Sequence, residues 1–255
     1  MDRKLYNPIL ARTTSFASQD LEFRTWIGGC LSAQPPQYAW MDTALSKVNP
    51  RSTALLVIDL QNDFCSPDGA LAKLGSDIAP CAAIVRRIAD FLPRVRKEIA
   101  FTAFFRLVYD PKEMSESQQE RLIRNGLPVI CIPGTRGVDL SISPDPKDFV
   151  FTKHRYSAFS NDRFRQVLDE RSISTIVTVG IDTHICVEGT VRHGYDLGYR
   201  MIVLSDLVAT RQSESARHEN SLALCGRYFA LILDSNSFID LLNRKSAEVW
   251  KSATG

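Results

Sequence analysis

Six short apolar runs, "ALLVID", "IAFTAFF", "DFVFTK", "TIVTVG", "RMIVLSD" and "FALILD", follow one another between Ala54 and Asp234. They are rich in β-branched and aromatic residues and lack the alternation of a half-exposed strand. They therefore read as strands of a parallel sheet buried on both faces. Segments of helical spacing lie among them, such as "DIAPCAAIVRRIADFL", "NDRFRQVLDERS", "CVEGTVRHGYDLG" and "SESARHENSLALCG", several starting on an Asn, Asp or Ser that can cap. This alternation predicts an α/β fold: an open, mainly parallel six-stranded sheet with helices on both faces, a Rossmann-like α/β/α sandwich. Ligands of such sheets bind beyond the carboxyl ends of the strands. Pro93 is expected to end or kink the first long helix, and "CIPGTRG" and "SPDPKD" to supply loops over the ligand edge.

The 255 residues suit one large α/β domain. Residues 1–50 read as an irregular N-terminal arm with no sustained period, and 51–255 as the folded domain. Charged residues at 24% and hydrophobic residues at 44% fit an ordinary soluble globular chain. The net charge of +2 comes from scattered Lys and Arg, so nothing points to nucleic acid or an anionic membrane. The start has no apolar stretch of signal-peptide length, and no segment approaches a membrane span. A cytoplasmic protein with small-molecule partners is the expectation. Cys30, Cys65, Cys81, Cys131, Cys186 and Cys225 show no C-x-x-C pair or finger spacing, which favours reduced thiols.

Three reactive residues fall at strand ends. Asp59 ends "ALLVID", Lys153 ends "DFVFTK", and Cys186 follows "TIVTVG" after a short loop. A carboxylate, an ammonium and a thiol at one sheet edge can perform covalent chemistry together. Asp59 can take the thiol proton and return it to a leaving group, while Lys153 orients the carboxylate. A helix N-terminus and a nearby cation are expected to lower the Cys186 pKa. Each residue also has a plain structural reading, as a small core hydrophobe, a helix cap and a solvated lysine, and spacing alone leaves both readings open.

The motifs "LLVIDLQNDF", "FTKHRYSAF" and "GIDTHICVEGT", with "SDLVAT" and "HENSLAL", resemble those of the isochorismatase-like cysteine hydrolase family over roughly Ser52 to Phe238. The resemblance implies that Asp59, Lys153 and Cys186 are a catalytic triad. It further implies a cis peptide between Ile181 and Asp182 that turns the amides of Asp182 and Cys186 toward an oxyanion. It also implies a homodimer or homotetramer. Nicotinamidases of this family carry an Asp-x-His metal pattern after the second strand, and "FFRLVYDPKEM" has no histidine, so neither a metal nor nicotinamide is expected. No G-x-G-x-x-G follows a strand and no P-loop occurs, so no cofactor is expected either.

Arg211 follows "SDLVAT" and Arg106 follows "IAFTAFF", and both are candidates for gripping a substrate carboxylate, Arg211 also by resemblance to carbamoyl-amino-acid hydrolases of the family. Phe64, Tyr109 and Phe159 are candidate pocket walls, with core packing as the alternative. Asp63 is read as a cap or structural hydrogen-bonding residue, and His193 and His218 as helix-face or packing residues. The expected activity is hydrolysis of a small amide, ureide or carbamoyl compound through a thioester-type intermediate. The rivals are vinyl-ether hydrolysis of the isochorismatase kind, with Asp59 as acid, and a non-catalytic interaction protein on the same fold. Trp26 and Trp40 in the arm are candidates for covering a neighbour or the pocket.

Overall fold

The computed structural model describes residues 45–254, so the predicted arm, with Trp26 and Trp40, lies almost wholly outside the described residues. From Val48 onward the chain forms one compact unit. All six predicted strands are present: β1 (Thr53–Ile58), β2 (Phe101–Leu107), β3 (Phe149–Lys153), β4 (Thr175–Gly180), β5 (Arg200–Val208) and β6 (Ala230–Leu233). Their order is β3-β2-β1-β4-β5-β6, and every pairing is parallel, so "mainly parallel" sharpens to wholly parallel. The order reverses between β1 and β4, which makes the crevice beyond these strand ends the natural ligand site of a doubly wound sheet.

The helices are α1 (Asn62–Cys65), α2 (Ala70–Lys73), α3 (Ala79–Val95), α4 (Glu116–Arg124), α5 (Asp162–Glu170), α6 (Glu188–Asp196), α7 (Ser215–Tyr228) and α8 (Ser235–Thr254). All six residues of β1 are buried, as a central parallel strand requires. Ala54, Leu56 and Ile58 pack into a cluster with Phe164 of α5, Val191 of α6 and Cys225 of α7. On the other side α3 and α8 meet through Phe91 and Phe238, whose ring centres are 6.4 Å apart. Two helical layers thus cover the two faces. Among the described residues no helix is long and apolar enough to cross a membrane.

Local chemistry sets the element ends. Pro80 opens α3, where its missing N–H costs nothing, and the Asp77 carboxylate accepts from the Ala79 amide at 3.0 Å. Pro93 lies inside the final turn, where little of the helical ladder remains to be broken, and α3 runs on to Val95. Asn161 caps α5 by accepting from the Phe164 amide at 2.9 Å, and its Nδ2 donates to the Thr152 carbonyl at 2.7 Å. One side chain therefore starts a helix and fastens it to β3. Gly180 adopts φ +118°, and a Cβ there would stand 2.1 Å from the Ile58 carbonyl oxygen. Only glycine lets β4 leave the sheet so close to the end of β1.

Candidate active site

The three predicted residues converge at the carboxyl edge of the sheet. Asp59 directly follows β1 with φ +52°, a left-handed conformation that turns the chain out of the strand, and its amide donates to the Phe105 carbonyl at 3.0 Å. Lys153 closes β3, two strands away, and its Nζ donates to Asp59 Oδ2 at 2.7 Å and to the Arg155 carbonyl at 3.2 Å. The same Nζ lies 3.5 Å from Cys186 Sγ. The side chains of Lys153 and Asp59 are 0% and 1% exposed, so the lysine is buried and paired, not solvated. Asp59 Oδ1 is buried with no hydrogen-bond partner among the described residues. A shielded carboxylate oxygen with a free lone pair beside a thiol is placed to receive a proton.

Cys186 sits in a π-helical turn, Thr183–Val187, that leads into α6. The expectation of a lowered thiol pKa is corrected. Burial and the neighbouring Asp59 charge push the Cys186 thiol well above its ordinary value, and the Lys153 ammonium only partly opposes them. Desolvation at this buried position outweighs the cation and the helix start. The resting group is therefore S–H. Burial likewise raises the Asp59 carboxyl, against the attraction of Lys153. For Lys153, burial alone would lower the pKa, but Asp59 and Cys186 outweigh it and the ammonium is kept.

The Ile181–Asp182 peptide is cis. Among the described residues the Asp182 N–H donates to no backbone carbonyl, which leaves it available to a ligand oxygen. The Asp182 carboxylate accepts from the Thr210 hydroxyl at 3.0 Å. Thr183 is held on three sides: its amide donates to the Ala209 carbonyl at 3.0 Å, its hydroxyl bonds His218 Nδ1 at 2.9 Å, and Ser221 donates to its carbonyl at 3.3 Å. His218 and Ser221, both on α7, thus brace the turn that carries Cys186.

A cavity of about 130 Å³ opens onto Cys186 and Asp182. Of the predicted pocket residues, Phe64, Tyr109 and Arg211 line it. Arg106 and Phe159 do not, and both expectations are corrected. Alternation along β2 sends Arg106 to the face opposite Phe105, where its Nε donates to the Thr152 hydroxyl at 3.0 Å on the paired position of β3. Phe159 is 1% exposed and packs against Phe164 at 5.4 Å, Tyr199 at 5.5 Å and His193 at 5.3 Å between ring centres. It is core.

Two polar pocket residues lie outside the sequence-based expectations, Arg121 and Tyr156. The signals were present: Tyr156 falls inside "FTKHRYSAF", and Arg121 lies in a helix announced by Ser115 with Gln118 three residues on. The Gln118 side chain accepts from the Ser115 amide at 3.0 Å and donates to the His154 carbonyl at 2.8 Å, fastening α4 to the end of β3. Asp63 is structural, as expected: its carboxylate accepts from the Ala70 amide at 3.0 Å and the Cys131 amide at 2.6 Å. Neither flanking histidine joins the thiol, for His154 Nδ1 bonds the Val108 carbonyl at 2.9 Å and His184 Nε2 lies 3.9 Å from Glu214. Among the described residues no group of three or more His, Cys, Asp or Glu side chains gathers as a metal site.

Comparison with known proteins agrees with the fold. The isochorismatase domain matches residues 53–237. The chain is 29% identical over 206 residues to ureidoacrylate amidohydrolase RutB of Methylobacterium radiotolerans, covering 75% of this chain and 80% of the relative. It is 30% identical over 212 residues to RutB of Methylorubrum extorquens, covering 77% and 85%. Among solved structures, a cysteine hydrolase from Pseudomonas syringae pv. phaseolicola superposes with a TM-score of 0.68 at 26% identity, covering 78% of this chain and 95% of that one. A pyrazinamidase/nicotinamidase from Streptococcus mutans does so with a TM-score of 0.60 at 28% identity, covering 71% and 100%. The match takes in Asp59, Lys153 and Cys186 together with all six strands of the sheet, and this chain belongs to the isochorismatase domain family.

Proposed function

We propose that the protein is a cysteine hydrolase that cleaves the C–N bond of a small amide, ureide or carbamoyl compound. The observation that carries the reading is the placement of Lys153 Nζ within 2.7 Å of Asp59 and 3.5 Å of Cys186 Sγ, beside a small pocket. Relatives named ureidoacrylate amidohydrolase favour a ureide over a simple amide.

Because the thiol rests protonated, attack and deprotonation go together. Asp59 Oδ1 takes the Sγ proton as sulfur bonds to the carbonyl carbon, and the carbonyl π electrons move to oxygen. The Asp182 and Cys186 amides hold that oxyanion. Lys153 keeps its proton throughout and holds the carboxylate in place. When the intermediate collapses, the C–N bond breaks and Asp59 passes its proton to the departing nitrogen. The remaining acyl group is a thioester, or a thiocarbamate when the substrate is a ureide. Asp59 then removes a proton from water, whose oxygen adds to the same carbon. On the second collapse the C–S bond breaks, sulfur recovers the proton from Asp59, and the acid product leaves. Phe64, Tyr109 and Arg211 line the bound substrate in this reading. The enzyme acts without a cofactor, in the cytoplasm, as a homodimer or homotetramer whose mass light scattering would measure.

The test is intact mass spectrometry of the enzyme during turnover of amides, ureides and carbamoyl acids. An acyl adduct on Cys186, absent in Cys186→Ala, is expected. Full turnover by Cys186→Ala with loss in Asp59→Asn would instead indicate acid-catalysed vinyl-ether cleavage without a covalent step.

A further inference from the structure

Two arginines line the catalytic pocket, and their surroundings differ. Arg211 faces acids. Its Nη2 lies 3.8 Å from Glu214 Oε1, and its charge also acts on the Asp182 carboxylate at the pocket floor. Arg121 is different: among the described residues no carboxylate lies within ion-pairing distance of it. Its guanidinium stands over the Tyr156 ring, 5.4 Å from the centroid. A guanidinium stacked on an aromatic face is held flat with its N–H edge free to meet a carboxylate with two parallel hydrogen bonds.

The support beneath Arg121 is fixed. Gln118, one turn earlier on α4, bonds both the helix start and the His154 carbonyl, so the arginine is referenced to the strand end that carries Lys153. The neighbouring Tyr109 offers a phenol hydroxyl, whose pKa burial raises further. Much of the remaining wall, with Leu71, Leu107, Leu122, Leu127 and Ile130, is apolar. Arg121 is half-buried on this wall, so an anionic ligand that displaces its water would meet a cation that no carboxylate among the described residues neutralises.

We propose that Arg121, stacked on Tyr156, binds a carboxylate of the substrate a few atoms from the scissile carbonyl, while Arg211 serves the Asp182 turn and is not the carboxylate site. The substrate class is thus a ureido or carbamoyl acid, an assignment that rests on the hydrolase reading above.

Two measurements separate the claims. The first needs no substrate: Cys186 is alkylated with anionic iodoacetate and with neutral iodoacetamide, and the rates are read from the mass of its peptide. The iodoacetate to iodoacetamide ratio should fall several-fold in Arg121→Gln, recover in part in Arg121→Lys, and move less in Arg211→Gln. The second compares turnover of 3-ureidopropionate with that of uncharged propylurea. In Arg121→Gln the KM for the acid should rise roughly 10- to 100-fold, the range of a charge-assisted hydrogen bond, with kcat little changed and propylurea unaffected. A ratio and an acid preference that survive Arg121→Gln but vanish in Arg211→Gln would overturn the assignment. If charge selectivity at Cys186 follows Arg121 but no ureido acid is turned over, the anion site stands and the ureide reading fails.

Discussion

Lys153 and Asp59 form an ion pair of 2.7 Å in which neither side chain is more than 1% exposed, bridging the ends of two strands that are not neighbours in the sheet. A shielded pair of this kind is expensive to break and inexpensive to remove whole. Lys153→Met should destabilise the protein by about 3–5 kcal/mol by stranding the carboxylate, whereas Lys153→Met with Asp59→Leu should recover much of the loss and remain inactive. Urea unfolding of the two variants checks this, and purely additive losses would argue against a coupled pair.

Asp59 raises the Cys186 pKa and Lys153 lowers it. Asp59→Asn removes the first influence and leaves the second, so the thiol should ionise more readily at neutral pH. Iodoacetamide should modify Cys186 faster in Asp59→Asn than in the parent, although turnover falls by at least about 100-fold for want of the base. A slower reaction would mean that the carboxylate, not burial, supplies what reactivity the thiol has.

Alkaline stability should depend on the buried thiols. Burial raises Cys81 from 9.0 to about 12. In that interval the unfolded chain has released a proton that the folded chain keeps, so the contribution is full below pH 9.0 and fades as pH climbs toward 12. Cys81→Ala should therefore lose less stability than the parent between pH 9 and 11, within the interval that those two values define, as read from urea midpoints. Equal slopes would show that other groups govern the decline.

Gly180 combines φ +118° with a backbone contact that a methyl group would bring to 2.1 Å. Gly180→Ala should cost at least about 3 kcal/mol, because both the dihedral and the Ile58 carbonyl must yield. Soluble expression with an unchanged melting temperature would show that β1 and β4 separate more easily than their register implies.

The two corrected pocket assignments both predict catalysis near that of the parent, and they differ in stability. Arg106→Gln should leave KM within about 2-fold, since its head group is spent on Thr152. Phe159→Ala should cost about 3–5 kcal/mol of stability while kcat/KM of the folded fraction stays near the parent value. Calorimetry combined with active-site titration separates loss of folded enzyme from loss of activity.

The strands are legible because a central parallel strand is buried from end to end and so mostly apolar, as "ALLVID" and "TIVTVG" show. Strand ends then located Asp59, Lys153 and Cys186. The direction of the Cys186 pKa was not legible, because it depends on how much water the fold removes, and sequence reveals only that a cation and a helix start lie nearby. Arg106 and Phe159 depart from expectation for a related reason: proximity to a strand end does not say which face a side chain takes. Arg121 is not legible from strand ends, because α4 belongs to the connection between β2 and β3.

The crossing of the sheet has a kinetic consequence. Lys153 lies 94 residues beyond Asp59 and Cys186 another 33 beyond Lys153, and no two of the three share a hairpin or a helix. Parallel strands must be joined by long crossovers, so loops close before any pairing rewards them. Turnover should accordingly return late in refolding, after the helical signal. For this chain, recovered activity is a reporter of finished long-range topology, which neither far-ultraviolet ellipticity nor compaction can supply.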